Sequence, residues 1–311
     1  MRKTPPQHRE SSEPSSQETQ KLHLPVLLET TIDYLAPKQG ETYLDLTAGY
    51  GGHAKAVAEK IGTVSNLTLV DRDAHAAREL EALIADGARF LHSDFLSAAQ
   101  LLEREGQQFD MILADLGVSS PQLDRSERGF SFAKSGPLDM RMDQREPLTV
   151  ADIVNRYPEA HLANIIYTYG EEPKSRQIAK SIVRARPLRT TGELAEAIAS
   201  SFRSRGKTHP ATRTFQALRI ALNRELEQLE SLLPILPKLL KPGGRVAIIS
   251  FHSLEDRLVK QFFSEQASAG YEADMTLLTK RPLAGTTHDA SNPRARSAKL
   301  RVAAKIKKER G

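Results

Sequence analysis

Tyr43-Leu-Asp-Leu-Thr-Ala-Gly-Tyr-Gly-Gly-His53 passes from an apolar strand pattern, Tyr43 to Leu46, through a glycine-rich turn into a helical segment that runs from about Gly52 to Ile61. Strand, glycine turn and helix in that order bring backbone close to a ligand at a helix N-terminus, where free N–H groups point outward. The same alternation continues on both sides. A helix is expected near Pro25 to Leu35, strands at Leu67 to Val70, Arg89 to His92 and Phe109 to Ala114, and a helix over Ala74 to Ile84. Asp71 and Asp115 follow the second and fourth strands directly. Short apolar strands alternating with helices predict an α/β fold, a Rossmann-like doubly wound parallel sheet.

The alternation stops after Asp115. Residues 126–210 are polar and basic, with helical periods near Lys174 to Arg184 and Gly192 to Phe202, and read as an inserted helical subdomain between core parts 21–125 and 211–311. Phe215, Leu218, Leu222, Leu226, Leu229 and Leu233 recur every three or four residues, as on one long amphipathic helix facing a core. Pro242-Gly-Gly244 reads as a turn before a strand at Val246 to Ile249, and Met275 to Thr279 with Leu300 to Ala304 as a closing pair of strands. Residues 1–20, rich in Ser, Pro, Gln and Glu, read as a disordered tail.

Composition narrows the function classes. A chain of 311 residues, 39% of them hydrophobic, can bury a sizeable core. Its 44 Lys and Arg against 39 Asp and Glu permit a nucleic-acid partner without requiring one. The absence of cysteine excludes disulfides, thiolate metal ligands and thiol nucleophiles. The longest apolar stretch, Leu232 to Leu240, is broken by Pro234, Pro237 and Lys238. It falls short of the roughly 20 apolar residues a membrane span needs. With no apolar leader in the tail, the expectation is a cytoplasmic protein without a membrane partner.

Gly49, Gly51 and Ala54 also fit the looser Gly-x-Gly-x-x-Ala pattern of dinucleotide enzymes, so the loop alone leaves an oxidoreductase open. Asp45 decides between ligands by charge. A carboxylate before the loop repels a pyrophosphate but suits a ligand that carries an ammonium and a sulfonium, as S-adenosylmethionine does. Asp71 stands where a carboxylate accepts ribose hydroxyls, its alternative role being a helix cap. Phe95, after the third strand, either contacts an adenine or belongs to the core. Asp115-Leu-Gly-Val-Ser-Ser-Pro-Gln-Leu-Asp124 is expected at the switch point of the sheet, beside the first strand.

Several strings together carry a resemblance. The Gly-x-Gly-Gly-His loop (49–53), Asp-Leu-Gly-Val-Ser-Ser-Pro-Gln-Leu-Asp (115–124), Arg-Gly-Phe-Ser-Phe (128–132) and Gly-Pro-Leu-Asp-Met-Arg-Met-Asp (136–143) are followed by Tyr-Gly-Glu-Glu (169–172). His-Pro-Ala-Thr-Arg-Thr-Phe-Gln-Ala-Leu-Arg (209–219), Ser-Phe-His-Ser-Leu-Glu-Asp-Arg (250–257) and Asn-Pro-Arg-Ala-Arg-Ser (292–297) complete the series. In this order, from about residue 22 to 304, they resemble the RsmH (MraW) family. The N-terminal tail is longer than the family's usual short lead. The resemblance implies a class I methyltransferase that uses S-adenosyl-L-methionine to methylate N4 of a cytidine in the decoding region of 16S ribosomal RNA, within the small ribosomal subunit. By the same resemblance the donor site maps onto Gly51, Gly52, His53, Asp71, Phe95, Asp115 and Gln122.

Methyl transfer from a sulfonium is an in-line displacement that needs alignment and an acceptor for the amine's proton. Asp115, or a carbonyl of the loop to Pro121, is the expected acceptor, against a purely donor-binding role for Asp115. Arg125, Arg128, Arg141, Arg145, Arg203, Arg205, Lys207, His209 and Arg213 gather in and around the insert. Of these, Arg128, Arg141, His209 and Arg213 are expected at RNA, with Phe130 and Phe132 stacking on a flipped base. The blander alternative is a solvated charged face with both phenylalanines packing the insert. His252 and Glu255 after the apolar strand suggest acid–base or metal chemistry, but no other ligand-spaced His or carboxylate accompanies them; helix capping and loop order are equal alternatives, and no metal is expected. A nucleic-acid-binding module with a degenerate nucleotide fold is the alternative from another functional class; an intact loop and Asp115 argue against it.

Overall fold

The computed structural model describes residues 25–202, 209–270 and 273–306. The tail and Arg203, Arg205 and Lys207 lie outside the described residues. The apolar runs form strands β1 (Tyr43–Asp45), β2 (Leu67–Asp71), β3 (Arg89–His92), β4 (Phe109–Asp115), β5 (Leu240–Ser250), β6 (Met275–Leu277), β7 (Leu283–Ala284) and β8 (Lys299–Lys305). They order as β3-β2-β1-β4-β5-β8-β6, with β7 beside β8. The first five are parallel, and β8 runs antiparallel to its three neighbours.

Alternate side chains serve opposite faces. Leu44, Ile112, Ala114, Val246 and Ile248 meet the helices Phe95–Arg104, Glu225–Leu232 and Ser253–Ser268. Tyr43, Met111, Leu113, Ala247 and Ile249 meet Leu28–Leu35, Gly52–Ile61 and Ala74–Glu79. Burial on both faces is why β4 and the second half of β5 read as near-continuous apolar runs. This is the doubly wound sheet expected of a class I methyltransferase. Because β1 pairs β4, chain order reverses between them, and their carboxyl ends open onto the crevice where such sheets hold ligands.

The inserted helices Val150–Arg156, Glu159–Gly170, Ser175–Ala185 and Thr191–Ala199 bury Ile153, Leu162, Ile166, Ile178, Ile182, Leu194 and Ile198 in a core of their own. The return from it differs from expectation. The single helix over Phe215 to Leu233 is two, Ala211–Asn223 and Glu225–Leu232, separated by Arg224 at φ 52°. Ala211, Phe215, Ala217 and Leu218 pack in the helical core, whereas Leu229 and Leu232 pack against the sheet. One periodic stripe thus feeds two cores, and the axis breaks where it changes allegiance. Asn223 pins the break by accepting from the Met142 N–H (2.9 Å) and donating to the Met140 carbonyl (2.9 Å).

Two smaller expectations are also corrected. The helix over Ala74 to Ile84 breaks at Leu80 into Ala74–Glu79 and Glu81–Ala85. Pro242-Gly-Gly244 is not a turn before the strand but an irregularity inside β5, whose register against β4 shifts between Phe109↔Leu240 and Met111↔Arg245. A bulge absorbs the extra residues. A Cβ on Gly244 would stand 2.9 Å from the Lys241 carbonyl oxygen, so only glycine fits there.

Candidate functional site

A cavity of about 1080 Å³ lies over the carboxyl ends of β1, β2 and β4. Its floor is the glycine turn, in which Gly49 and Gly51 take φ of 50° and 75°, the region glycine favours. A Cβ on Gly51 would come within 2.7 Å of Leu80 Cδ2, and one on Gly52 would overlap the Pro25 ring. Glycine here serves close packing as well as backbone conformation. Of the expected donor-site residues, Gly52, His53, Asp71, Phe95, Asp115 and Gln122 line the cavity; Gly51 shapes the turn from behind it.

Asp71 ties β2 to that turn. Oδ2 accepts from the Gly49 N–H and Oδ1 from the Asp73 N–H, both at 2.8 Å. The helix cap is Asp73, which accepts from the His75 N–H, so the capping alternative for Asp71 fails. Each carboxylate oxygen retains a lone pair for a ligand hydroxyl. Burial raises the Asp71 carboxyl above its ordinary range, as a site awaiting polar partners would show. Phe95 lines the cavity and packs in the sheet's core at once. His53 is pushed down to about 4 by burial, and is therefore neutral.

Asp45 requires a correction. Its carboxylate is 2% exposed and is not on the cavity wall. It accepts from the Tyr43 hydroxyl (2.9 Å) and the Thr47 N–H (3.1 Å), and burial lifts its pKa to about 7. Its charge acts from beneath the floor, whereas Asp71 and Asp115 are among the carboxylates that line the cavity. At Asp115 the backbone N–H donates to Thr47 Oγ1 (2.6 Å), which aligns β4 with β1, while Oδ1 has no hydrogen-bond partner among the described residues. Burial, then the nearby charges of Asp45 and Glu255, hold the Asp115 carboxyl well above the usual carboxylate range.

Sequence reasoning missed Asp73, the hub beside Asp71. It accepts from Gln122 Nε2 (3.0 Å) and Arg128 Nη1 (2.7 Å). Gln122 Oε1 in turn accepts from the Ser119 N–H, so its amide braces the loop after Asp115 against the turn after Asp71. Two carboxylates two residues apart at a strand end were the available signal.

The residues expected at RNA divide. Arg128 is 3% exposed and donates inward, to Asp73 and to the Arg141 and Met142 carbonyls. Its guanidinium is bonded within the protein. Arg128→Ala should cost about 3–5 kcal/mol by leaving Asp73 buried without its partner. A fall of several degrees in Tm with an unaltered salt dependence of RNA binding is expected; the reverse pattern would restore the phosphate role. Phe130 is buried in the helical core yet lines the cavity, and Phe132 packs between His209 and Phe215. Arg141 forks onto Asp139 and donates to the Gln144 and Glu146 carbonyls, so it holds its own loop. Arg213 is more than half exposed beside Glu172 (3.7 Å) and keeps a surface suited to phosphate.

The far wall holds a cluster the sequence left incomplete. Glu225 joins His252 and Glu255, one ligand-type atom of each lying within 4.8 Å of the others. Arg219 donates to both Glu225 oxygens at 2.9 Å and supplies the neighbouring positive charge. The capping role expected of His252 and Glu255 is realised as a capping box on the helix Ser253–Ser268.

The sequence profile of the MraW methylase family matches residues 20–306. Ribosomal RNA small subunit methyltransferase H of Acidobacterium capsulatum is 49% identical over 296 residues, covering 91% of this chain and 98% of that protein. The protein of the same name from a Nostoc species is 49% identical over 290 residues, covering 91% of this chain and 92% of its own length. Among solved structures, TrmN from Thermus thermophilus aligns with a TM-score of 0.43 and 15% identity, over 90% of this chain and 48% of that one. With a family profile spanning the whole sheet and insert, and relatives this similar along nearly their full length, the chain belongs to the MraW methylase family.

Proposed function

We propose that this methylase transfers a methyl group from S-adenosyl-L-methionine to the exocyclic N4 of a cytidine in the decoding region of 16S ribosomal RNA, by direct in-line displacement, in the small ribosomal subunit. The relatives' shared name supports the RNA; the observation that carries the chemistry is Asp115, an unmet carboxylate oxygen at the switch point beside the glycine turn. When bound, S-adenosylmethionine supplies an electrophilic methyl on a sulfonium. The residues present fit it: left-handed glycines admit backbone to the ligand, Asp71 offers lone pairs to ribose hydroxyls, and the buried carboxyls of Asp115 and Asp45, beside which no cation acts, favour a positive ligand.

Asp115 accepts an N–H of the target amine, which concentrates the amine's lone pair on nitrogen, and takes the proton as the new bond forms. Its raised basicity suits that task better than an ordinary carboxylate. Among the described residues, no helix is long and apolar enough to cross a membrane.

A pH dependence follows with a definite sign. Carboxyls with raised pKa values are neutral on the acid side, so the field that attracts a cation weakens as pH falls through the titration of Asp45, at about 7, and that of Asp115, held well above the ordinary carboxylate range. Affinity for S-adenosylmethionine should therefore fall on acidification more than affinity for S-adenosylhomocysteine, which lacks the sulfonium. Parallel curves by calorimetry would remove the carboxylates from donor selection. The function itself is tested by mass spectrometry of small-subunit RNA nucleosides from cells with and without the gene. Loss of N4-methylcytidine is expected; an unchanged profile would overturn the assignment.

A further inference from the structure

β5 ends at Ser250, and the next residues place a hydrogen-bond donor and an acceptor side by side on the cavity wall. His252 caps the helix Ser253–Ser268 by accepting the Glu255 N–H at Nδ1 (3.3 Å). A neutral ring that accepts at Nδ1 carries its proton on Nε2. That Nε2, in a side chain 7% exposed, lies 3.2 Å from Glu255 Oε1 yet makes no hydrogen bond among the described residues. Glu255 Oε2 is committed to the cap, accepting from the Phe251 N–H (2.8 Å) and the His252 N–H (3.2 Å), while Oε1 stands beside the unmet Nε2–H. Burial raises the Glu255 carboxyl, yet the group is held below the ordinary carboxylate range overall, with the Arg219 charge and the Phe251 N–H among the causes, and so it is an acceptor.

A buried donor without a partner costs about 1–3 kcal/mol, and native structures rarely keep one without use. A metal does not suit it. With Nδ1 turned to the cap, the ring presents a proton rather than a lone pair to Glu225 and Glu255, and Arg219 already neutralises Glu225. What suits a donor and an acceptor about 3 Å apart is the edge of a base in which an amine adjoins a ring nitrogen. Cytosine has that edge; uracil presents the reverse order. The position is right as well: Ile249, three residues before His252, is the strand partner of Asp115.

We infer that His252 and Glu255 read the target base, His252 Nε2–H donating to the ring N3 and Glu255 Oε1 accepting from one N–H of the exocyclic amine, so that the second N–H falls to Asp115. This rests on the cytidine reading of the proposed function. The two groups select the base and fix its plane, and Asp115 receives the proton.

The test compares reconstituted small subunits carrying cytidine or 3-deazacytidine, which lacks the N3 acceptor, at the methylated position, in single-turnover methylation by wild type and His252→Ser. Serine preserves the helix cap but reaches no base. Wild type should lose about ten-fold on 3-deazacytidine, and His252→Ser about ten-fold on cytidine with little further loss on the analogue, donor affinity being unchanged by calorimetry. Equal wild-type rates on both substrates would overturn the inference without recourse to any variant. So would the same fractional loss from 3-deazacytidine in the variant as in wild type, the mark of a merely structural histidine. Failure of wild type to methylate the cytidine subunits at all would overturn the proposed function and this reading together.

Discussion

Asp115→Ala is expected to slow methyl transfer at saturating donor by about 10²–10⁴-fold, the range for loss of a positioned general base. The side chain makes no internal hydrogen bond at Oδ1, and its backbone N–H bond to Thr47 survives the substitution. The fold should therefore persist. Removal of a carboxyl that burial and two like charges hold far above its usual range also relieves strain, so Tm should hold or rise. Single-turnover rates and donor titrations together decide the role. If affinity for S-adenosylmethionine falls while the rate at saturation stays near wild type, Asp115 only attracts the donor, and the proton goes to a loop carbonyl instead.

Asp71→Ala should act on the other half of the site. The carboxylate holds the Gly49 and Asp73 N–H groups, both at 2.8 Å, and offers its remaining lone pairs to the ligand. Hydrogen bonds to a charged group contribute about 1.5–3 kcal/mol each, so the loss of two ligand bonds alone predicts a donor affinity weaker by more than roughly a hundred-fold. The turn also loses its anchor, which adds to the effect. Asp71→Asn, which keeps the shape and part of the bonding, should fall between. Affinity for S-adenosylhomocysteine by calorimetry is the measurement, and a loss under about three-fold would dissociate Asp71 from the nucleoside.

The two halves meet through Asp73, which neither half contains. Gln122 and Arg128 converge on that carboxylate from the loop after β4, so the turn that shapes the donor site and the loop that carries Asp115 share one anchor. Disturbing Arg128 should consequently impair both donor affinity and rate, in step with the loss of stability.

Much of this was legible in the chain. A strand pattern over Tyr43 to Leu46 and a glycine turn predicted a helix from about Gly52 to Ile61, and a strand near Arg89 to His92 was expected; the helix Gly52–Ile61 and β3 stand there, because period and turn chemistry are local properties. The Asp115 loop was placed beside β1 from the same alternation, and the pairing of β1 with β4 bears it out. For His252 and Glu255 local sequence left capping as one alternative among several, and the structure shows the capping box.

Direction and company were not legible. Asp45 and Asp71 are both carboxylates at strand ends, yet one points beneath the floor and the other lines the cavity. Arg128 looked like its basic neighbours until a distant carboxylate was seen to hold it. The stripe from Phe215 to Leu233 keeps one period across a break, because periodicity records that residues are buried and not in which core. Glu225 reaches His252 and Glu255 only through that break. By itself the sequence determined the sheet and the glycine turn at the end of β1, since each depends on neighbours a few residues apart. The tertiary structure alone decided which polar groups are already satisfied within the protein and which are left for a ligand, because that depends on partners brought together from distant parts of the chain.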